Sequence, residues 1–154
     1  MVAVMLTAFG LGFFVLHFVM TTVVDDMVHN TGLNQSASTV SALGGVVKTL
    51  GRLDYVVFGL FIGFVLGIMI TGWFVGGNPI FAFIYFIVIV VAVILSTILS
   101  NTWESISSAS IFGSTVSAFP ITNNLLAYLP FYVAVVGILG LLVMFAKPAF
   151  EGQG

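Results

Sequence analysis

The chain has 154 residues, of which 60% are hydrophobic and only 5% are Asp, Glu, Lys or Arg. A soluble domain gives about a quarter of its residues to those four types, so this chain lacks the polar surface to cover itself in water, and lipid must be most of its solvent. The formal net charge of −2 offers no reason to expect nucleic acid as a partner, and the absence of cysteine excludes disulfides, thiolate metal sites and thiol nucleophiles.

A bilayer core of roughly 30 Å is crossed by about 20 apolar residues in a helix. Four runs meet or approach that length: 2–24, 55–75, 80–99 and 125–146. The expected fold is all-α and polytopic, a single membrane domain over 1–154 with four transmembrane helices. It includes a tight central helical hairpin and short interfacial amphipathic helices over about 33–53 and 101–119.

The first run, Val2–Val24, exceeds the h-region of a secretory signal, has no Lys or Arg before it and no small-x-small pattern after it. It reads as a retained span. His17 is the one ionisable side chain well inside an apolar run, which makes it a functional candidate by default. No Asp, Glu or second His accompanies it there, so a neutral, hydrogen-bonded or interfacial imidazole is expected before a proton or gating role. Asp25 and His29 stand four apart with Asp26 beside them. Two adequate ligands do not make a metal site, and a solvated helix end is expected.

Leu33, Val40, Leu43, Val47 and Leu50 then recur at helical intervals, with Thr39, Ser41, Lys48 and Arg52 largely on other faces. Asn34 or Ser36 suits the cap of such a helix. It would lie on the membrane surface or extend the second span into water, and Gly44 and Gly45 weigh against a coiled-coil contact. Lys48, Arg52 and Asp54 read as an interfacial charge cluster at the start of the second span. Lys48, Arg52, Trp103 and Lys147 are the expected interfacial anchors. Asn34, Gln35 and Ser36 match the glycosylation triplet, a match that chance often produces.

The second span carries the strongest motif. Gly59, Gly63 and Gly67 are spaced by four, and Thr71 continues the row, so one helix face is a smooth groove. Apolar attraction does not distinguish a helix from acyl chains in lipid, whereas close contact over small residues does. The row is therefore expected to pack, either against another span of the same chain or against a second copy or partner subunit. Gly76, Gly77, Asn78 and Pro79 follow as the hairpin turn: the glycines end one helix through a left-handed residue, Asn78 caps the next, and Pro79 takes its first position.

The third run is bulky all round, from Phe81, Phe83 and Ile84 to Val93, Ile94 and Leu95, with no small or polar stripe before Ser96 and Thr97. It suits lipid on most sides and does not suit a water-filled pore. Beyond it Trp103 falls at headgroup level, and Ser105, Ser107, Ser108, Ala109 and Ser110 form a small-residue patch that allows close backbone approach. The fourth run contains Pro130. Either Leu125–Leu129 is an interfacial turn and the span begins near Pro130, or one longer helix bends there; Lys147 and Pro148 then stop it. Four spans put both termini on one side with Lys147, opposite Lys48 and Arg52, a weak lean toward external termini.

Membrane enzymes need paired carboxylates, histidine clusters or a held nucleophile, and none of these arrangements is visible. The sequence therefore points to a non-enzymatic structural or assembly protein, a small subunit of a larger membrane-embedded complex without a cofactor. Its expected partners are the lipid bilayer and other membrane-protein subunits, self or hetero, with no small-molecule substrate. Small polytopic proteins of this size and span number occur in the membranes of lipid-containing virions and as accessory subunits of energy-transducing complexes. The sequence leans toward the virion membrane, with the cell membrane as the other setting. The competing expectation is a homo-oligomeric pore-forming or holin-like protein, which needs a polar stripe.

Overall fold

Backbone N–H and C=O groups find no water in hydrocarbon, so apolar runs satisfy them internally as helix. The computed structural model describes residues 2–29, 37–76 and 79–151, and apart from short breaks they are helical. The elements are α1 (Val2–His29), α2 (Ala37–Gly51), α3 (Leu53–Val75), α4 (Pro79–Ser107), a 3-10 turn (Ser110–Phe112), α5 (Gly113–Ala118), α6 (Pro120–Ala127) and α7 (Leu129–Glu151). Four stretches are long and apolar enough to cross a membrane: Ala3–His29, Ala37–Val75, Ile80–Ser107 and Leu129–Ala146. The protein is an all-α polytopic membrane protein. No strand occurs among the described residues.

Boundaries differ from the sequence expectation in instructive ways. The amphipathic segment is not a separate surface helix. α2 runs into α3 through a single turn residue, Arg52, whose backbone stays in the right-handed helical region at φ −74°, ψ −12°. The joined stretch of 39 residues is about 58 Å long, more than a hydrocarbon core needs, so α2 carries the second span beyond the apolar layer. No residue of α2 is buried. The third span likewise continues past 99 to Ser107, which takes Trp103 into α4 and leaves only the 3-10 turn and α5 of the expected 101–119 segment.

Pro130 decides the fourth run. α6 ends at Ala127, the chain breaks at Tyr128, and α7 restarts at Leu129 with Pro130 as its second residue. N–H groups in a first turn have no helical acceptor, so the proline costs nothing there. Residues 125–127 are the last turn of α6 rather than a free turn. Lys147 and Pro148 do not stop α7, which continues to Glu151. Pro148 has no N–H for the carbonyl of Met144, and that carbonyl faces the backbone of Gly76, where a Cβ would lie 2.8 Å away.

Gly76 ends α3 with φ −57° and ψ 153°, extended rather than left-handed, and Pro79 opens α4 as expected. Gly77 and Asn78 lie outside the described residues, as do Leu33, Asn34, Gln35, Ser36 and the side chain of Lys147. The two arms of the hairpin scarcely touch each other. α7 packs against both, most extensively against α4, while α1 packs against α2 and α3.

Close helix approach is made by glycines other than the row on α3. A Cβ at Gly137 would lie 2.7 Å from Ile89 Cγ2, and one at Gly140 would overlap the Tyr85 hydroxyl. At Gly72 a Cβ would lie 3.3 Å from the Gly140 carbonyl oxygen, and at Gly10 it would meet Thr122 Cγ2 and Leu126 Cδ1 at 3.1 Å. α7 is thus the small-residue helix that lets α3 and α4 close on it. Two apolar clusters complete the interior: Leu6, Val57, Leu125 and Leu129 in one, Phe14, Trp103 and Leu126 in the other.

Candidate functional site

α6 is short, and helix ends buried away from water must find partners for their free N–H and C=O groups. Asp54, in the first turn of α3, supplies them at one end. Its Oδ2 accepts from the Ile121 N–H at 2.9 Å, and its Oδ1 accepts from the Thr122 N–H and hydroxyl, both at 2.7 Å. The carboxylate is 2% exposed. It acts as an N-cap supplied from another helix, with its charge at the positive end of the α6 dipole. Ser100 of α4 donates to the Ala127 carbonyl at the other end of α6. The expected grouping of Asp54 with Lys48 and Arg52 is therefore wrong: both basic residues are exposed, and Asp54 faces the interior.

Trp103 is not a headgroup anchor. Its ring is 1% exposed, sits at 5.0 Å from Phe14 in an edge-on contact, and donates from Nε1 to Asn123 Oδ1 at 2.9 Å. A helix position just past an apolar run is ambiguous in sequence, and here the tertiary partner Asn123 claims the indole. Trp73, by contrast, is 42% exposed. A lipid carrying a brominated acyl chain should therefore quench emission strongly when Trp73 is the only tryptophan (Trp103→Phe) and weakly when Trp103 is (Trp73→Phe). Equal quenching of both would mean that Trp103 is open to lipid.

His17 is turned inward rather than exposed. It is 5% exposed, its ring packs edge-on to Phe119 at 5.1 Å, and Nδ1 is sealed with no partner among the described residues. Thr115 Oγ1, one turn before Phe119, is buried and unpartnered as well. Asp25 and His29 share a face as expected. The His29 ring nitrogen Nδ1 lies 2.8 Å from the Asp25 carbonyl oxygen and 3.4 Å from its carboxylate, with both side chains solvent-exposed. Among the described residues no group of three or more His, Asp or Glu is placed to hold a metal ion. Ser105, Ser107 and Ser108 turn their hydroxyls back to carbonyls of their own segment.

The outer face of α3 remains. Gly59, Gly63 and Gly67 are exposed, and a Cβ built on any of them meets nothing within 4 Å. Thr71 is exposed too. Among the described residues no other span of the chain packs closely against Gly59, Gly63 or Gly67. The row borders two shallow apolar grooves. One, of about 510 Å³, is lined by Val56, Gly59, Leu60, Gly63 and Phe64. The other, of about 520 Å³, lies between α3 and α4, with Gly67, Thr71, Phe81 and Tyr85 in its walls and Met144 of α7 behind. The glycines that do pack internally are not conspicuous in sequence: Gly137 and Gly140 are spaced by three, Gly10 has no glycine three or four residues away, and Gly76, four residues after Gly72, reads as part of the turn.

Comparison with protein-family models, curated proteins and solved structures finds no match to this chain.

Proposed function

We propose that the chain is a non-enzymatic assembly subunit of a membrane-embedded complex, in a cell membrane or in the membrane of a lipid-containing virion. One observation carries the reading. Three glycines in register lie exposed along α3, and a Cβ on any of them would meet nothing within 4 Å. Each glycine costs a helix about 1 kcal/mol relative to alanine, and acyl chains gain nothing from a side-chain-free groove that they do not gain from leucine. A neighbouring helix does, through backbone approach. A pore is the weaker reading, because the outer faces of α3 and α4 are largely apolar from the hairpin turn to Asp54 and Glu104 and offer no continuous polar stripe for a lumen.

Gly63→Leu should release the chain from its complex when the source membrane is extracted gently and sized, with the helical content of the protomer retained. Ile62→Leu, one residue round the helix, should release nothing. An unchanged complex in the Gly63→Leu variant would remove the α3 face as a contact surface.

A further inference from the structure

Lys48 and Arg52 are exposed on the outward side of the joined α2–α3 helix, and Glu104 is exposed on α4. Among the described residues none of the three has an ion-pair partner inside the protomer. α6 fixes their relative height. Ile121 and Thr122 bond Asp54, and the next residue, Asn123, bonds Trp103, so Asp54 and Trp103 stand at one depth on antiparallel helices. Arg52 lies about 3 Å outward of Asp54 and Glu104 about 1.5 Å outward of Trp103, at 1.5 Å per residue. Arg52 and Glu104 therefore occupy one membrane level on two different faces, and Lys48 lies about 6 Å further outward on the same face as Arg52.

The same levelling runs through the span. Five residues inward of Asp54 is Gly59, and five inward of Trp103 is Ile98; steps of four then level Gly63 with Ile94 and Gly67 with Val90. Ile94 and Ile98 are each 58% exposed and Val90 44%. One face is a groove without side chains, and the other is a ridge of branched ones at the same four-residue pitch. Ridges of that row pack into grooves of the same kind.

We propose that the α3 face of one protomer receives the α4 face of a second copy, head to tail, with Glu104 of that copy set against Arg52. This rests on the assembly reading and names the partner. A symmetric α3–α3 dimer is disfavoured, because a two-fold contact through the glycine row brings Lys48 and Arg52 of both copies to the same level and opposes like charges. A head-to-tail contact leaves a free face at each end of a pair, so it repeats into a ring or an open array.

The chain contains no cysteine, which makes disulfide trapping clean. Two differently tagged full-length copies are co-expressed in one membrane, one carrying Gly63→Cys and the other Ile94→Cys, and then oxidised. The expected result is a mixed disulfide joining the two tags and almost none from either variant alone. One copy carrying both substitutions should give a ladder of multimers. Glu104→Arg in the Ile94→Cys copy should lower the mixed product about fivefold, in line with an exposed ion pair, and Arg52→Glu in the Gly63→Cys copy should restore it. Strong self-crosslinking of Gly63→Cys alone overturns the head-to-tail arrangement in favour of a symmetric one. No mixed product, in a chain that still loses its complex on Gly63→Leu, overturns self-association and leaves the assembly reading with an unrelated partner helix. No complex in either experiment overturns both.

Discussion

Asp54→Ala should destabilise the protein by about 3–5 kcal/mol, because it strands two main-chain donors and a hydroxyl whose free energy when buried and unpaired is about 1–3 kcal/mol each. The three bonds that Asp54 accepts, from Ile121 N–H, Thr122 N–H and the Thr122 hydroxyl, are among the described residues the only hydrogen bonds that orient α6 from the α3 side. α6 in turn positions Leu125 and Leu126, one in each apolar cluster. Loss of the cap therefore loosens both clusters and not just one helix end. Asp54→Asn should fall between, since its amide oxygen replaces only one carboxylate oxygen and its NH₂ opposes a donor. Thr122→Val, which removes one hydroxyl bond, should cost about 1 kcal/mol. Denaturant unfolding in detergent micelles gives the ranking, and amide exchange over 121–127 gives the location. A change below about 1 kcal/mol for Asp54→Ala would mean that α6 holds its place without the carboxylate.

This knot was hidden from sequence for a definite reason. Asp54 follows Lys48 and Arg52 at the mouth of an apolar run, where charged residues ordinarily mark the membrane surface. Nothing local shows that one of the three points inward, because its partners lie 67 and 68 residues away. Trp103 was misread on the same ground. What periodicity and run length do determine was legible: four apolar helical stretches, Pro79 as the first residue of α4, and a lipid-facing α4 with Phe83, Ile87 and Ile94 all exposed. The run of small residues on α3 was legible as a groove too. Which side of the helix turns to the protomer's own interior was not, since both sides of α3 are apolar and only tertiary packing chooses between them.

The two sets of glycines should separate cleanly under substitution. Gly137→Leu places branched carbons where Ile89 already approaches a Cβ position within 2.7 Å. Overpacking of this kind costs about 3 kcal/mol when neither helix can retreat, and α7 cannot, held as it is between α3 and α4. The protomer should unfold earlier in detergent, and loss of any complex would follow from loss of fold. Gly59→Ala and Gly63→Ala should do the opposite to the isolated protomer. Their Cβ atoms meet nothing, so each should add up to about 1 kcal/mol of helix stability. If the outer row serves assembly, the same substitutions should weaken association while the fold is strengthened. That opposition of sign is the informative outcome, since a residue needed only for folding cannot raise stability and lower assembly at once. Should Gly63→Ala lower the unfolding midpoint of the monomer, the row is buried inside the protomer after all, and the outward face assigned to α3 is wrong.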